Sequence, residues 1–495
     1  MVDHDYSHSP PPFFIVKAIV QRVGAGRNHG TVRFLVLHGY LLRGTGSNVY
    51  NAQLAPALAR AGHEVHLLSQ EPRPLALPWV DAEGTWDGGG GLRVRARREP
   101  VRITAYRPPI GRMLPVYVAD RYEGFDARPL AELTDAQVED HLARTVAAVG
   151  DVAARVRPQG ALANHLVLSP AALARAGLAA AVKVHGSALE YVVKPHPRFL
   201  PWAQEGLAGA TAVLVGSRHT AESLWATMED PALPARTRLG PPGVDVERFG
   251  PRGAAEAAAG LRRLVARLAW RPPEGEGAFA RDPAEAAVAL SGLDPEREPL
   301  VAYVGKLLSA KGVDLLLDAW PAVLERVPAA RLVVVGFGEH RGALQAAAAR
   351  RGLLGGPVRF TGRLEHDELA DLLPACRAQA VPSVFPEAFG MVAAEAAAAG
   401  VVPVVAGHSG LAEIAEGLAG AVPEPARAWL TFPPGPGAAA ALAARLVAVL
   451  RAPPDLLDAT RDGLVECVRA RYSWDGVARG VAAASQGDLD ALPEP

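Results

Sequence analysis

Short apolar runs alternate with helical patterns along most of this chain. Residues 32–38 (VRFLVLH) form the first run, which is continuous enough for a strand buried on both faces. A glycine-rich turn and a helical pattern ending at Gly62 follow it, and residues 64–68 (EVHLL) predict the next strand. The same alternation resumes from Leu133 through Ala181. Strands separated by helices indicate βαβ units and a parallel sheet.

A second alternating block begins near Pro299. Its apolar runs read LVAYVG, RLVVVG, VRFTG, AVPS and VVPVVAG, with helical patterns between them. We therefore predict an α/β fold with two doubly wound, Rossmann-like domains. The predicted parts are a poorly ordered N-terminal segment (1–30), a first domain (31–250) with an insertion or hairpin (71–131), a linker or peripheral segment (251–297), a second domain (298–468), and a C-terminal helix followed by a tail (469–495).

Composition narrows the class of protein. The chain has 495 residues, of which 49% are hydrophobic, so it can bury large cores in more than one domain. Its formal net charge of −1 gives no general case for nucleic-acid binding, and no apolar run approaches the roughly 18 residues of a membrane span. Cys376 and Cys467 make no disulfide framework, which indicates a reducing environment and a cytoplasmic protein.

The segment 382–395 (PSVFPEAFGMVAAE) carries the strongest chemical signal. Its pattern predicts a strand end, a tight turn, and a helix opened by residues 389–391. The free N–H groups and the dipole at such a helix start attract anions. Glu387 and Glu395 stand eight residues apart, which is about 12 Å along a helix and nearly the same face, so they would grip opposite ends of an elongated ligand. A sugar joined through a diphosphate to a nucleoside is such a ligand.

This pattern resembles the signature of family 4 of the retaining glycosyltransferases. In that family the first Glu contacts the transferred sugar, the intervening backbone N–H groups contact the donor phosphate and sugar, and the second Glu binds the ribose. The resemblance gives these roles here to Glu387, to a short donor-binding segment, and to Glu395. The segment comprises Phe389, Gly390, Met391 and Val392.

The resemblance also implies an architecture. Family 4 enzymes have the GT-B fold, in which two Rossmann-like domains face each other across a cleft. The first domain would then bind the acceptor, and the second would bind the nucleotide sugar. The C-terminal helix would cross back to the first domain.

Two lysines supply a second motif, in residues 305–312 (GKLLSAKG), directly after the predicted strand LVAYV. The chain contains only five lysines, and two of them, Lys306 and Lys311, lie in one short loop. This concentration indicates that lysine is required there. Two cations beside an anion-binding turn would neutralise a departing nucleoside diphosphate without a metal. In the family that the chain resembles, this pair holds the diphosphate, and Lys306 stands where arginine is more usual.

The glycine-rich turn at residues 44–48 is a third candidate. It lacks the GxGxxG spacing, and no acidic residue closes the following strand, so it does not support a nicotinamide cofactor. In the glycosyltransferase pattern two glycines approach the donor phosphate from the first domain. The resemblance assigns this role to Gly46, with Thr45 in place of the first glycine. A purely structural turn is the alternative.

His185 follows a short apolar run in VKVHGSALEY, at a predicted strand end. A histidine there can hydrogen-bond a sugar hydroxyl, and the resemblance places it beside the transferred sugar; a structural histidine is the alternative. His165 also follows a strand-like run, where a lining or core role competes with a catalytic one. The resemblance further places Arg363 and Leu364 near the base, through their backbone.

The predicted function is transfer of a sugar, most simply a hexosyl group, from a nucleotide-diphospho-sugar to an acceptor with retention of configuration. The predicted catalytic residues are His185, Glu387 and Lys311, and we expect no cofactor and no metal. The acceptor stays open among a glycolipid, a polysaccharide and a small molecule. Open alternatives for the whole chain are a phosphorylase or epimerase of the same fold and a non-catalytic nucleotide-sugar sensor.

A basic stretch at residues 93–102 (RVRARREPVR) bears on the acceptor. Its arginines would meet a phosphorylated or lipid-linked acceptor, or they would form a solvated sheet edge that discourages aggregation. The sequence does not support a peripheral membrane contact.

Overall fold

The computed structural model describes residues 31–44, 46–117, 122, 124–274 and 281–495. The predicted N-terminal segment, 1–30, and Thr45 lie outside the described residues. The described chain forms two doubly wound α/β domains, each built on its own sheet, as the alternating pattern predicts.

The first domain is built on a largely parallel sheet. Its strands are β1 (Arg33–Leu37), β2 (Glu64–Leu68), β3 (Ala82–Trp86), β4 (Leu92–Ala96), β5 (Ile103–Tyr106), β6 (Met113–Val116), β7 (Asp126–Pro129), β8 (Gly160–Asn164), β9 (Ala181–Lys183), β10 (Ala212–Val215) and β11 (Thr237–Leu239). Nine of them form one sheet in the order β11-β10-β9-β8-β1-β2-β5-β3-β4, while β6 pairs with β7 separately. Neighbours in the large sheet run parallel except for the β3–β4 hairpin.

The segment predicted as an insertion or hairpin, 71–131, contains β3 to β7. It is continuous with the first sheet, because β5 lies between β2 and β3. Residues 93–96 of the basic stretch lie in β4, which is an edge strand of this sheet. Arg93 pairs with Asp87 at 2.8 Å, and Arg95 pairs with Glu83 at 2.6 Å. The basic stretch therefore forms a sheet edge, one of its two predicted alternatives, and nearby acids neutralise part of its charge.

Helices cover both faces of the first sheet, since alternate residues of β1 belong to two separate apolar cores. These helices are α1 (Ser47–Arg60), α2 (Asp135–Val156), α3 (Leu168–Arg175), α4 (Leu200–Ala208), α5 (Arg218–Met228) and α6 (Leu233–Arg236). The longest, α2, starts where Thr134 and Gln137 form a reciprocal capping box. Val138, Leu142 and Val149 then bury one face of it.

The predicted linker or peripheral segment, 251–297, contains α7 (Ala254–Ala269) and α8 (Pro283–Leu290). Buried residues of both helices, including Leu261, Leu264 and Leu290, belong to the apolar core of the second domain. These helices therefore pack against that domain.

The second domain contains a sheet of six parallel strands. Its strands are β12 (Leu300–Val304), β13 (Arg331–Val335), β14 (Val358–Gly362), β15 (Cys376–Val381), β16 (Val402–Ala406) and β17 (Thr431–Phe432), in the order β14-β13-β12-β15-β16-β17. Its helices are α9 (Val313–Arg326), α10 (Arg341–Arg350), α11 (His366–Leu372), α12 (Met391–Ala398), α13 (Ser409–Ala419), α14 (Glu424–Arg427), α15 (Ala438–Leu450) and α16 (Pro454–Arg471).

The order of strands in each sheet reverses at one point. In the second sheet β13 and β14 lie on one side of β12, and the chain then returns to place β15 on the other side. In the first sheet β2 and β8 flank β1 in the same way. Ligands of doubly wound folds bind outside the carboxyl ends of the strands at such a reversal. The loops after β1, β8, β12 and β15 are therefore where a binding cleft is expected.

The C-terminal helix α17 (Trp474–Ser485) returns to the first domain. Trp474, Val481 and Ala484 join the apolar core that contains Tyr50 of α1, and the rings of Trp474 and Tyr50 lie 5.4 Å apart. The chain thus returns from the second domain and ends against the first.

Candidate active site between the two domains

A cavity of about 450 Å³ lies between the carboxyl ends of the two sheets. All twelve residues predicted for the site line it: Gly46, His185, Lys306, Lys311, Arg363, Leu364, Glu387, Phe389, Gly390, Met391, Val392 and Glu395. The fold thus gathers residues that are more than 300 positions apart in sequence into one place. Lining a cavity is not a ligand contact, so their individual roles stay predictions.

The turn after β15 differs in one respect from the prediction. The helix was expected to open at residues 389–391, with both glutamates spaced along it, but α12 begins only at Met391. Gly390 has a φ of 108°, a left-handed conformation that a right-handed helix cannot contain. Glu387 therefore lies in the turn and Glu395 on the helix, so the predicted helical spacing between the two carboxylates is wrong.

The start of α12 is nevertheless suited to an anion. No described side chain caps this helix, and its first turn contains no acidic residue. Its first N–H groups have no partner within the helix, and the positive end of the helix dipole adds to their attraction for negative charge. Gly390, Met391 and Val392 line the cavity, so this helix end faces it.

The lysine loop and the glutamate turn meet directly. Lys311 Nζ lies 2.5 Å from Glu387 Oε1, with the two side chains 30% and 22% exposed. The loop after β12 approaches the end of β15 so closely that a Cβ on Gly312 would lie 1.9 Å from the Pro382 carbonyl oxygen. Glycine at 312 therefore permits the contact that brings Lys311 to Glu387, while Lys306 lines the cavity nearby.

Glu395 lies deeper in the second domain and is paired with a histidine. It is 7% exposed, and its Oε1 lies 3.6 Å from His366 Nε2. Burial lowers the pKa of His366, but the hydrogen bond and the charge of Glu395 outweigh burial, so the pKa is raised above its usual value. Sequence analysis did not single out His366, whose signal is its position as the first residue of α11, just after β14.

On the first-domain side, His185 follows the end of β9 and lines the cavity. Its Nε2 lies 2.8 Å from Asn164 Oδ1, and Asn164 Nδ2 donates to the Leu37 carbonyl, which fixes the orientation of the amide. Because an amide oxygen only accepts, Nε2 of His185 carries the proton. Burial, followed by the charges of nearby His165, Lys183 and His38, lowers the pKa of His185 well below its usual value. His185 is therefore neutral, and its Nδ1 can accept a hydrogen bond.

A buried network of amides and histidines supports His185. Asn164 Nδ2 donates to Asn51 Oδ1 at 2.9 Å, and Asn51 Nδ2 lies 3.1 Å from His38 Nδ1. His38 Nε2 contacts Asn48 Oδ1 at 2.9 Å in the glycine-rich turn, and Asn48 Nδ2 donates to the carbonyl of Arg43, just before that turn. The network joins the histidine to that turn. Sequence analysis missed His38, Asn51 and Asn164. His38 and Asn164 could have been noticed because each is a polar residue at the end of a buried strand.

Lys183 is a second residue that sequence analysis missed. It lines the cavity, yet it is only 2% exposed, and its Nζ donates to the Gly240 carbonyl at 2.6 Å. No carboxylate of the described residues forms an ion pair with it, and burial lowers its pKa to about 7. The scarcity of lysine in the chain was the signal that could have identified it.

His165, for which a core or lining role competed with a catalytic one, does not line the cavity. It is 4% exposed, and the centre of its ring lies 4.7 Å from that of Tyr117 and 5.0 Å from that of His185. Neither of its ring nitrogens has a hydrogen-bond partner among the described residues. Burial lowers its pKa well below the usual value. The structure favours a core role.

The two domains touch around the glutamate turn. A Cβ on Gly186 would lie 2.9 Å from Ala388 Cβ, and a Cβ on Gly216 would lie 2.6 Å from the Ala388 carbonyl oxygen. Glu413 of α13 accepts hydrogen bonds from the backbone N–H groups of Arg218 and His219, at 2.7 and 2.8 Å, and so caps α5 of the first domain. The described conformation is therefore closed at this edge of the cavity.

Within the described ranges, no group of three or more His, Cys, Asp or Glu side chains is placed to bind a metal ion. None of the helices in the described part of the chain combines the length and the apolar character needed to cross a bilayer.

Comparison with known proteins agrees with this architecture. Residues 291–451 match the family model described as Glycosyl transferases group 1. A GDP-mannose-dependent alpha-(1-6)-phosphatidylinositol monomannoside mannosyltransferase from Mycobacterium tuberculosis is 35% identical over 212 residues, which is 41% of this chain and 54% of that protein. The chain spans about half the length of the curated relatives it matches.

Solved structures share the whole fold. Sucrose-phosphate synthase from Thermosynechococcus elongatus aligns with a TM-score of 0.62 and 21% identity, over 93% of this chain and 100% of that one. HepE from Anabaena, solved in complex with UDP and glucose, aligns with a TM-score of 0.61 and 17% identity over the same shares. The match to the group 1 glycosyltransferase model thus covers residues 291–451, most of the second domain, and the chain as a whole has the GT-B fold.

Proposed function

We propose that this protein is a retaining glycosyltransferase of family 4 that moves a sugar from a nucleotide-diphospho-sugar to an acceptor hydroxyl without a metal. The observation that carries the proposal is the single cavity at the strand reversals of both sheets, where Lys311, Glu387, Glu395 and the open end of α12 meet. The cavity brings together two lysines, two glutamates and a helix start whose first N–H groups have no partner within the helix. These groups match the chemistry of a sugar, a diphosphate and a nucleoside.

The donor is proposed to lie along the second domain. Glu395 would accept hydrogen bonds from the ribose hydroxyls, with Arg363 and Leu364 near the base. Lys306, Lys311 and the N–H groups at the start of α12 would contact the diphosphate. Glu387 would contact the hydroxyls of the transferred sugar. HepE, which shares this fold, was solved in complex with UDP and glucose, and this supports a nucleotide-sugar donor.

The proposed chemistry breaks the bond between the anomeric carbon and the phosphate oxygen. The acceptor oxygen bonds to the same face of the anomeric carbon, and the departing phosphate oxygen takes the acceptor proton, so the nucleoside diphosphate leaves with that proton. Lys306, Lys311 and the start of α12 stabilise the negative charge that develops on the leaving group. His185, neutral and proton-bearing at Nε2, would use Nδ1 to accept a hydrogen bond from the sugar.

The acceptor is proposed to bind on the first-domain side, and its class stays open among a glycolipid, a polysaccharide and a small molecule. A cytoplasmic location remains part of the proposal. Closure of the domains around the donor would exclude water from the activated sugar.

The test is a thermal-shift assay in EDTA with UDP, GDP and ADP, their sugar nucleotides, and NAD as a control. A ligand at 100 times its Kd stabilises the folded state by about 2.7 kcal/mol, so selective stabilisation by one diphosphate and its sugar identifies the donor. NMR of the transferred product should then show the donor's anomeric configuration. Stabilisation by NAD alone, or by a divalent metal alone in a parallel assay without EDTA, would overturn the proposal. Phosphate-dependent turnover would indicate a phosphorylase, and binding without turnover would indicate a sensor.

A further inference from the structure

Ser409, the first residue of α13, has a backbone conformation that glycine usually occupies. Its φ is 52°, in the left-handed region, which costs free energy for any residue with a Cβ. Arg157 and Glu229 also have positive φ values, but they end helices, where left-handed residues are common. Ser409 instead stands at a helix start, where no such cap is needed. A glycine would remove the strain, so the serine side chain calls for an explanation.

The side chain of Ser409 contacts the proposed sugar-binding turn. The backbone N–H of Glu387 donates to Ser409 Oγ at 2.9 Å. The next residue, Gly410, donates its own N–H to the Glu387 carbonyl, also at 2.9 Å. Residues 409 and 410 therefore bind both backbone polar groups of Glu387. A Cβ on Gly410 would lie 2.7 Å from the backbone of Ala388 and Phe389, so this close approach requires glycine at 410.

His408 directs the hydroxyl of Ser409. Its Nε2 lies 2.7 Å from the Ser383 carbonyl, which can only accept, so Nε2 carries the proton. In the neutral ring Nδ1 then accepts, and it lies 3.1 Å from Ser409 Oγ. The hydroxyl hydrogen thus points to His408, and an oxygen lone pair stays available for the Glu387 N–H. The chain of three hydrogen bonds joins the start of the turn, at Ser383, to Glu387.

We propose that Ser409 and His408 are positioning residues that fix the turn carrying Glu387, and that the strained backbone of Ser409 persists for this purpose. The inference rests on the proposed role of Glu387 in binding the transferred sugar. The carboxylate of Glu387 is set by its backbone and by Lys311, so a loosened backbone would misplace it relative to the sugar.

The central variant is Ser409→Gly, which removes the strain and the hydroxyl together. We expect an unchanged or higher Tm, because strain is lost, and a lower kcat/KM, by roughly threefold to tenfold, because one backbone hydrogen bond is lost. Ser409→Ala keeps the strain and loses the hydroxyl, so both Tm and kcat/KM should fall. Ser409→Thr keeps the hydroxyl and should retain most activity at a lower Tm. A residue with only a structural role would not separate stability from activity in this way.

The matched control is Glu229→Gly, which relieves a positive φ at the end of α5. It should raise Tm and leave kcat/KM unchanged. Hydrogen–deuterium exchange of peptides containing Glu387 gives a readout that needs no substrate: exchange should accelerate in Ser409→Gly and Ser409→Ala but not in Glu229→Gly.

Two results would overturn the inference: wild-type kinetic constants in Ser409→Gly, or unchanged exchange at Glu387 in both serine variants. Absence of nucleotide-sugar binding and transfer in the wild-type protein would instead defeat the proposed function, and the exchange measurement would still decide whether Ser409 fixes the turn.

Discussion

The two halves of the cavity are built from different interactions. On the first-domain side, neutral histidines and asparagines form a continuous hydrogen-bonded network around His185. On the second-domain side, ion pairs dominate, with Lys311 bound to Glu387 and His366 beside Glu395. One half of the cavity thus offers neutral hydrogen-bonding groups, and the other offers charged groups.

The degree of burial explains this division. His38 and Asn164 have no exposed surface, and Asn51 is 1% exposed, so a charge among them would lack solvent and they must satisfy one another. Lys311 and Glu387 keep 30% and 22% of their side chains exposed, which lowers the cost of their charges. Two residues depart from this division, since Lys183 is a buried amine in the neutral half and Glu395 is a buried carboxylate in the charged half.

The largest expected effect is in the charged half. Lys311→Ala should lower kcat/KM about 10²- to 10³-fold, because it removes a cation from the leaving diphosphate and leaves Glu387 without its partner. Steady-state kinetics with the identified donor measures the change, and Tm should move little. As a control, Arg297→Ala removes a cation whose side chain is 87% exposed and should leave the rate unaltered. Near-normal turnover of Lys311→Ala would remove the charged half from the proposed mechanism.

The second effect concerns Lys183 and is a change in stability with pH. The folded pKa of about 7 lies below the usual value for lysine, so the unfolded chain binds the extra proton between these values. Stability should therefore rise with pH, by about 2 kcal/mol between pH 7 and pH 9 from this residue. In Lys183→Met that part of the rise should disappear, as measured by denaturant unfolding at both pH values.

Lys194→Met is the matched control, because Lys194 is 44% exposed and ion-paired with Glu190. It should leave the dependence on pH as in the wild type. An equal slope in Lys183→Met and the wild type would show that Lys183 is not a depressed amine, and the neutral half would then contain a full positive charge.

The same contrast explains what the sequence could predict. Apart from His366, which sequence analysis did not single out, the charged half comes from two continuous segments, 305–312 and 382–395, whose residues can be recognised together in the sequence. The neutral half is assembled across the sheet: Asn51 and Asn164 are 113 residues apart and meet only because β8 pairs with β1. Polar residues at strand ends are too common to identify such a network without the fold.

The sequence also predicts the presence of helices and strands better than their exact boundaries. Continuous apolar runs such as 32–38 predicted the buried strands and the α/β class, because a parallel sheet covered on both faces requires them. The start of α12 was missed, because the left-handed backbone at Gly390 has no signature beyond glycine itself. The true separation of Glu387 and Glu395 depends on that one residue.

The smallest expected effect has the opposite sign from that of Lys183 and belongs to the charged half. The pKa of His366 is raised in the folded state, because Glu395 outweighs the effect of burial, so protonation of His366 stabilises the fold. That contribution is fully present below the unfolded pKa, near 6.5, and is lost as pH rises through the raised folded value. In His366→Gln the stability should therefore fall short of the wild type by about 0.5–1 kcal/mol at pH 6 and by less at pH 8.

Denaturant unfolding at the two pH values measures this difference, and His196→Gln, a change at an exposed histidine, provides the reference. His38 sharpens the contrast, because burial lowers its pKa to about 4 and its protonation opposes folding. On acidification, the stability of His38→Gln should therefore fall less than that of the wild type, whereas the stability of His366→Gln should fall more. A gap between His366→Gln and the wild type that widens with rising pH would mean that Glu395 does not stabilise the imidazolium. The charged half would then consist of Lys311 and Glu387 alone. Glu395, which is proposed to bind the ribose, would lie in surroundings as neutral as those of His185.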